Sequence, residues 1–112
     1  MKIVLSIPFP VSANAMYRNA AKTLKSKEYR AWIKAAAWTV ATQTRTRITG
    51  PYKLTLLAVP PDKRRRDIDN LLKSTNDILK TAGVIDDDSQ CRWIEARWVE
   101  TGEPCQLILE LL

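Results

Sequence analysis

The spacing of apolar residues divides the chain into six predicted elements. Four segments are rich in β-branched, leucine and aromatic residues and are bounded by proline, glycine or polar residues, which is typical of strands. Two longer segments carry apolar residues three and four positions apart, which is typical of amphipathic helices. The strands are predicted at 2–9, 52–60, 91–100 and 105–112, and the helices at 26–45 and 67–83.

The order of these elements, β-α-β-α-β-β, predicts a single small α+β domain over residues 1–112, in which a mixed sheet packs with two helices. Only the short segment TGEP separates the last two strands, so we expect them to form an antiparallel hairpin with its turn at 101–104. Residues 10–26 are polar and rich in turn-forming residues, and we interpret them as a loop.

The first predicted helix is apolar on two sides. Ser26 is placed to cap its N-terminus. One apolar stripe is expected to face the core, and the other to be buried either against a second copy of the chain or under another part of the same chain. The core stripe comprises Tyr29, Ile33, Ala36 and Val40, and the second stripe comprises Ala31, Ala35 and Trp38.

The second predicted helix has one buried face. We expect it to end at Gly83, because glycine readily adopts the left-handed conformation that terminates helices. The residues expected on the buried face are Leu71, Thr75, Ile78, Leu79 and Ala82.

Charge narrows the choice of partner. The 18 lysine and arginine residues outnumber the 12 acidic ones, which leaves a net charge of +6. Such an excess in a small domain favours a polyanionic partner, although it also fits a basic domain without one. No segment approaches the ~20 apolar residues of a membrane span, and the first apolar run is too short for a signal peptide. We therefore expect a cytoplasmic protein that has no membrane partner.

The chain has no histidine and two cysteines, Cys91 and Cys105. The lack of histidine excludes Ser–His and Cys–His catalysis and argues against a zinc site. In the predicted hairpin Cys105 faces Glu100, whereas Cys91 faces a position beyond the C-terminus, so we expect no disulfide and a reducing compartment. Any catalysis must then rely on carboxylates, lysine or a metal ion.

A block of positive charge directly precedes two carboxylates. Asp67 and Asp69 would point to one side in extended backbone but would diverge by about 200° in a helix. Lys73 lies four residues after Asp69 and three after Asn70, so these residues share a helical face. The cations of the block are Lys63, Arg64, Arg65 and Arg66.

A second acidic group, Asp86, Asp87 and Asp88, follows the predicted second helix. That helix is about 24 Å long if it contains about 16 residues. The group can therefore approach Asp67 and Asp69 only if the chain doubles back, which the local pattern does not determine.

These residue types suit metal-assisted cleavage of a phosphodiester. Mg²⁺ binds one or two carboxylates together with water and substrate phosphate, and helps to generate hydroxide from water. Lysine stabilises the charge that develops in the transition state, and arginine binds phosphate oxygens in pairs. Each feature alone also has a structural interpretation: an aspartate pair caps a helix, a cationic run is a solvated loop and an acidic run is a turn.

Residues 61–90 resemble the signature of the RusA family of Holliday junction resolvases. They contain a basic run, the sequence RDIDN, a lysine four residues after the second aspartate, and the sequence KTAGVIDDDSQ. The segment IPFPVSANAMYR is also similar to the family's N-terminal opening, and the resemblance covers nearly the whole chain. The matching positions of that segment are Pro8, Pro10, Ser12, Asn14, Tyr17 and Arg18.

The resemblance implies a homodimeric, Mg²⁺-dependent endonuclease, with Mn²⁺ as an alternative ion, encoded by a bacterium or a phage. Such enzymes bind four-way DNA junctions and nick two opposing strands symmetrically. The resemblance places the catalytic and metal-binding acids at Asp67, Asp69 and Asp88 and an essential lysine at Lys73. It also implies that the acidic loop returns to the start of the helix. The additional acid at Asp86 leaves Asp87 as the alternative to Asp88.

DNA contacts are expected from the cationic run and from the N-terminal loop. A structural role in capping turns is the alternative for the loop residues. The expected contacts are Lys63, Arg64, Arg65, Arg66, Asn70, Asn14, Tyr17 and Arg18.

Two other functions also fit these residues. One is a non-catalytic module of the same fold that binds DNA or junctions. The other is a phosphotransferase acting on small nucleotides, but the three glycines are not clustered into a phosphate-binding loop, so no nucleotide cofactor is expected. For Trp32, Trp38, Trp93 and Trp98, the usual role is in a core or an interface, and stacking on unpaired bases is the alternative.

Overall fold

The computed structural model of the protein describes residues 1–11 and 26–112. Two short 3₁₀ turns, Ile68–Leu71 and Asp88–Gln90, lead into the second helix and the third strand. Each predicted strand and helix is present, and the differences lie at the ends of the elements. The described elements are β1 Lys2–Ile7, α1 Lys27–Gln43, β2 Tyr52–Ala58, α2 Leu72–Thr81, β3 Cys91–Trp98 and β4 Cys105–Leu111.

The strands form one mixed sheet in the order β1-β4-β2-β3. Strand β4 is antiparallel to both β1 and β2, whereas β3 runs parallel to β2. The predicted hairpin of β3 with β4 is therefore wrong, because β4 lies between β1 and β2 and β3 lies at the edge.

The reason lies in the side chains of the two strands. Cys105, Leu107 and Leu109 of β4 are all 0% exposed, and a strand that buries a complete face gains most from having neighbours on both sides. Strand β3 instead exposes the charged side chains of Arg92, Glu95 and Arg97, and exposed charges are typical of edge strands.

The core lies between one face of the sheet and the two helices. The register places Leu5 opposite Leu107 and Leu107 opposite Leu56, so the buried side chains of neighbouring strands share one face. These rows pack with residues of α1 and α2 in a single cluster, which makes a two-layer α+β domain. The helix residues in the cluster include Ala36, Val40, Ile78 and Leu79.

Helix α1 begins as predicted, since Ser26 Oγ accepts a hydrogen bond of 3.0 Å from the backbone N–H of Tyr29. Its predicted core stripe is buried at Tyr29, Ala36 and Val40 and partly buried at Ile33. The second stripe is not covered by the described part of the chain: Ala31 and Ala35 are exposed, and Trp38 is 74% exposed.

Helix α2 ends as predicted at Gly83, which has a φ of 80°. The N–H of Gly83 donates to the carbonyl of Lys80 at 3.1 Å, and the N–H of Val84 donates to that of Leu79 at 2.9 Å. This pair of bonds is a Schellman termination. The predicted face is buried at Leu71, Thr75, Ile78 and Leu79 and partly buried at Ala82.

Both cysteines are free, as predicted, but for a different geometric reason. The register places Cys91 beside Tyr52 and Cys105 beside Ala58, at opposite ends of β2. A strand of that length separates them by about 20 Å, which is far beyond the reach of a disulfide.

Across residues 1–11 and 26–112, no helix combines the length and apolarity that a bilayer crossing requires.

Candidate functional site

The acidic loop doubles back to lie beside α2. Strand β3 is parallel to β2, so the chain between them must return along the sheet, and α2 makes that return. Lys80 Nζ lies 3.3 Å from Asp87 Oδ1. The turn Asp88–Gln90 packs against α2, and the turn Ile68–Leu71 packs against β3. These contacts place the acidic loop beside α2, and the approach of Asp88 to Asp67 and Asp69 stays a prediction.

A buried tyrosine joins β2 to α2 at this point. Tyr52 is 0% exposed, and its hydroxyl donates to Asn76 Oδ1 at 3.1 Å. Burial is the main cause that raises the pKa of Tyr52, and nearby Cys91 and the charges of Asp88 and Asp87 raise it further. Tyr52 therefore remains a protonated donor that holds α2 against the sheet.

Lys73 and Asn76 are three residues apart in α2 and so follow one side of the helix, and Asp69 lies in the 3₁₀ turn that leads into it. Because Asn76 is bonded to Tyr52, and Asp88 is one of the charges close to Tyr52, the acidic loop lies beside this same side. Asn76 is seven residues beyond Asp69, which corresponds to about 10 Å along the axis.

The aspartates of the chain fall into two groups by their partners. Asp62, Asp77, Asp86 and Asp87 each contact a cation or a hydrogen-bond donor: Asp86 pairs with Arg47, and Asp77 accepts from the hydroxyl of Tyr29. The remaining aspartates are those at the positions selected by the sequence, and no described residue contacts their side chains as a hydrogen-bond or ion-pair partner. These are Asp67, Asp69 and Asp88, and all three are exposed.

The structure separates the roles of Asp87 and Asp88. The carboxylate of Asp87 accepts from the backbone N–H of Ser89 at 3.3 Å and also from the Ser89 hydroxyl, and so caps the turn Asp88–Gln90. These bonds, the serine hydroxyl first and then Lys80, lower the pKa of Asp87. Asp87 is therefore occupied in shaping the loop, whereas the carboxylate of Asp88 is available for a ligand.

The first acid pair lies where extended backbone changes into helix. Asp67 is extended, with φ −92° and ψ 124°, whereas Asp69 is already in the 3₁₀ turn. The observed backbone is thus intermediate between the fully extended and the fully helical alternatives. The N–H of Asn70 donates to the carbonyl of Asp67 at 3.2 Å and closes the turn. Lys73 is exposed in the first turn of α2 and forms no ion pair with any described residue.

The donor groups suit a hard divalent cation, although they do not form a complete cage. No three histidine, cysteine, aspartate or glutamate side chains converge as a metal site within the described ranges 1–11 and 26–112. Mg²⁺ usually takes one or two carboxylates and completes its coordination with water and substrate phosphate. Asp67 and Asp69, which lie two residues apart and have no side-chain partner among the described residues, can supply such a pair of carboxylates.

The cationic run lies between two grooves. Lys63, Arg64 and Arg65 are exposed, whereas Arg66 is partly buried with its guanidinium 5.5 Å from the ring centroid of Phe9. The ring of Phe9 stacks in turn on that of Trp98, with centroids 6.2 Å apart. One groove of about 410 Å³ is lined by Phe9, Pro10, Val11, Glu28 and the three arginines, and another of about 260 Å³ by Pro60, Trp98 and the same arginines.

Asp62, which sequence reasoning did not select, organises this run. Its carboxylate accepts from the backbone N–H of Arg64 at 2.9 Å and from the side chains of Arg64 and Arg66. Its spacing could have identified Asp62, which lies two residues before Arg64 and four before Arg66. Short polar side chains often accept a hydrogen bond from the backbone N–H two residues later in the chain. Asn14, Tyr17 and Arg18, predicted to contact DNA, lie outside the described residues.

The tryptophans also divide into two groups. Trp32 stacks on Tyr29 and Trp98 on Phe9, each with centroids 6.2 Å apart, and both are partly buried. Trp38 is 74% exposed and Trp93 is 51% exposed. Trp93 lies under Lys53, whose Nζ is 4.0 Å from its ring centroid.

The chain is similar to known proteins of one family. A family model described as Endodeoxyribonuclease RusA matches residues 8–111. Relatives named crossover junction endodeoxyribonuclease RusA include one from Aquifex aeolicus, which is 31% identical over 84 residues that cover 74% of this chain and 67% of that protein. Similar proteins from Enterobacteria phage 82 and Escherichia coli K12 are each 35% identical and cover 77% of this chain and 73% of their own length. The match to the family model spans both the acidic positions and the cationic run, and the chain therefore belongs to the endodeoxyribonuclease RusA family.

Proposed function

We propose that this protein is a Mg²⁺-dependent endodeoxyribonuclease that resolves four-way Holliday junctions by paired symmetric nicks in recombination and repair. The observation that carries the proposal is that Asp67, Asp69 and Asp88 are the aspartates without a partner among the described residues, while the chain packs their segments around α2. The names of the crossover junction endodeoxyribonuclease relatives support the same activity.

The acids are proposed to hold the cation. Asp67 and Asp69 supply two carboxylates at the start of α2, and Asp88 supplies a third from the loop that lies beside the helix. When bound, Mg²⁺, or Mn²⁺ in its place, supplies Lewis-acid polarisation of the phosphate and a hydroxide nucleophile. Asp87 and Asp86 hold the loop in shape through Lys80 and Arg47.

The cations are proposed to act on the DNA phosphates, Lys73 in the transition state and the arginines in binding. Lys73 is exposed in the first turn of α2, four residues after Asp69, where its ammonium can stabilise negative charge that develops on the phosphate. Arg64 and Arg65 extend into solvent beside both grooves, where arginine can bind phosphate oxygens in pairs. Asn70 lies between the acids and Lys73, and Lys63 completes the cationic run.

Two symmetric nicks require two sites, and we propose a homodimer that supplies them. A pair of chains carries +6 and +6, or +12, which favours a junction where four phosphate backbones converge. The exposed stripe of α1 is a candidate dimer contact because it carries both a projecting side chain and a groove. Trp38 projects from it beside a groove of about 590 Å³ lined by Ala31, Lys34, Ala35, Trp38 and Thr39. The tryptophan of each copy can therefore fill the alanine-lined groove of the other.

A non-catalytic junction-binding module is the second candidate. The observation that favours it is that no three acidic side chains converge as a metal site in the described part of the chain. Under this alternative the aspartates serve as caps and turns, and the cations alone bind DNA.

One experiment separates the two candidates. A labelled mobile four-way junction and a linear duplex are incubated with the protein in Mg²⁺ and in EDTA, with Asp69→Asn alongside. The nuclease is expected to nick opposing strands of the junction only, and to lose this activity in EDTA and in the variant while the variant still binds the junction. Tight junction binding without nicks in either Mg²⁺ or Mn²⁺ would instead establish the binding module.

A further inference from the structure

We infer that Asp62 competes with DNA for the cationic run: it occupies the phosphate-binding groups of Arg64 and Arg66 in the DNA-free protein, so that DNA must displace it. This inference rests on the proposed function, since it concerns the same DNA-binding surface. It assigns a role to a carboxylate that takes no part in the proposed metal site.

The contacts of Asp62 resemble those that arginines make with a phosphate. Oδ2 lies 3.2 Å from Arg64 Nε and 2.9 Å from a terminal nitrogen of Arg66, while Oδ1 accepts from the Arg64 backbone N–H at 2.9 Å. One small anion thus receives three donors from two residues. The donors lower the pKa of Asp62, the Arg64 backbone N–H most and the Arg66 side chain next. The carboxylate therefore remains charged wherever DNA binding is measured.

The two arginines differ in their freedom to leave Asp62. The Arg64 side chain is 78% exposed, whereas that of Arg66 is 24% exposed and lies against Phe9. The Nε of Arg66 is buried, and no residue of the described ranges accepts a hydrogen bond from it. Arg66 is therefore held in place by packing, and its terminal nitrogens present a fixed donor to Asp62 or to a competing anion. Arg64 can turn outward without any change in the core.

Competition follows from the chemistry of the anions. Carboxylate and phosphate both accept the paired donors of arginine, so a backbone phosphate can replace Asp62 at these nitrogens. The ion pairs of Asp62 are solvent-exposed and therefore weak. Displacing Asp62 costs the same free energy whichever DNA supplies the phosphate. Asp62 thus lowers the affinity for any DNA whose phosphates bind Arg64 and Arg66.

The test compares Asp62→Asn with the wild type in EDTA, so that binding is measured without cleavage. Asparagine keeps the acceptor for the Arg64 backbone N–H and removes the charge. We expect Asp62→Asn to bind duplex up to about fivefold more tightly, which is the scale of an exposed ion pair. We also expect the slope of log K against log[salt] to become steeper by about one to two, since each phosphate contact contributes about 0.9 to that slope. Binding of the junction is expected to tighten as well, because the same ion pairs of Asp62 are released.

The matched control is Asp86→Asn. It also removes one negative charge and one arginine partner, but that arginine is Arg47, which does not belong to the cationic run. The inference would be overturned if the salt slope of duplex binding were no steeper for Asp62→Asn than for Asp86→Asn. A change in the salt slope that appears with Asp62→Ala but not with Asp62→Asn would also overturn the inference, because it would result from loss of the turn and not from loss of the charge.

A triple variant, Arg64→Ala with Arg65→Ala and Arg66→Ala, distinguishes failure of this inference from failure of the proposed function. The inference requires the triple variant to flatten the salt slope, by up to about 3 if each arginine contacts a phosphate. An unchanged slope would overturn the inference, because no phosphate would then compete with Asp62. Cleavage of the junction by the wild type in Mg²⁺ would still establish the nuclease in that case.

Discussion

Lys80 and Asp87 are joined across seven residues by a contact of 3.3 Å between Nζ and Oδ1. Together with the bonds from Ser89, this contact fixes the loop that precedes β3 against the end of α2. Because Asp87 is occupied in this way, its neighbour Asp88 is the acid that remains available beside the helix.

Asp88→Asn and Asp87→Asn should therefore behave differently. We expect Asp88→Asn to reduce junction cleavage by on the order of 10²-fold or more, the scale seen when one preorganised transition-state group is lost, and to leave thermal stability unchanged. Asp87→Asn should lower the melting temperature and affect cleavage less. Nicking of a labelled junction and a melting curve for each variant measure both effects. The reverse pattern would show that Asp87 is the ligand.

The charge of Asp87 also predicts an acid dependence of stability. Its pKa is lowered in the folded protein from the ordinary 3.8, so the folded state favours the ionised form. The resulting stabilisation is present above that ordinary value and is lost as the pH falls through the lower folded pKa. The difference in unfolding free energy between the wild type and Asp87→Asn should therefore shrink between about pH 5 and about pH 2. Urea titrations across this range measure it, and a constant difference would contradict the assignment.

Lys73 is expected to act on the transition state rather than on binding. Lys73→Ala should lower the single-turnover cleavage rate by on the order of 10²-fold, because a preorganised charge is lost, and should change junction affinity only slightly. Lys80→Ala is the control, since Lys80 is on the same helix but pairs with Asp87. Equal losses of rate in both variants would indicate a general electrostatic effect instead of a role for Lys73.

The proposed dimer contact is tested at Trp38. Trp38→Glu should convert a dimer to a monomer in light-scattering measurements, because it places a charge in an apolar, alanine-lined contact. Trp93→Glu is the matched control, since Trp93 is also exposed but lies on the sheet beside Lys53. Dissociation caused by Trp93→Glu alone would move the contact to the sheet.

The bond between Tyr52 and Asn76 should contribute to stability. Tyr52→Phe leaves the Asn76 Oδ1 without its donor in a side chain that is only 8% exposed. The expected loss is about 1–3 kcal/mol of unfolding free energy, the cost of an unsatisfied buried acceptor. Urea denaturation of Tyr52→Phe, Asn76→Ala and the double variant measures the coupling between the two residues. Additive losses would show that the bond contributes little.

Much of the local structure could be predicted from periodicity. The second strand was predicted at 52–60, and β2 is observed at Tyr52–Ala58. The residue types alone also predicted the cap at Ser26 and the termination at Gly83, because capping depends on side chains within one turn of the helix end. The positions of Asp67, Asp69 and Lys73 were likewise evident from their spacing.

The neighbours of each strand were decided only by the tertiary structure. Alternation reports which side chains are buried, but it does not report which strand supplies the hydrogen bonds, since backbone pairing is the same for every partner. The short TGEP segment favoured a local hairpin, yet β4 gains more burial between β1 and β2. That choice makes β3 parallel to β2 and requires α2 to cross back along the sheet. The crossing places the turn Asp88–Gln90 against α2, a contact that spacing alone could not determine.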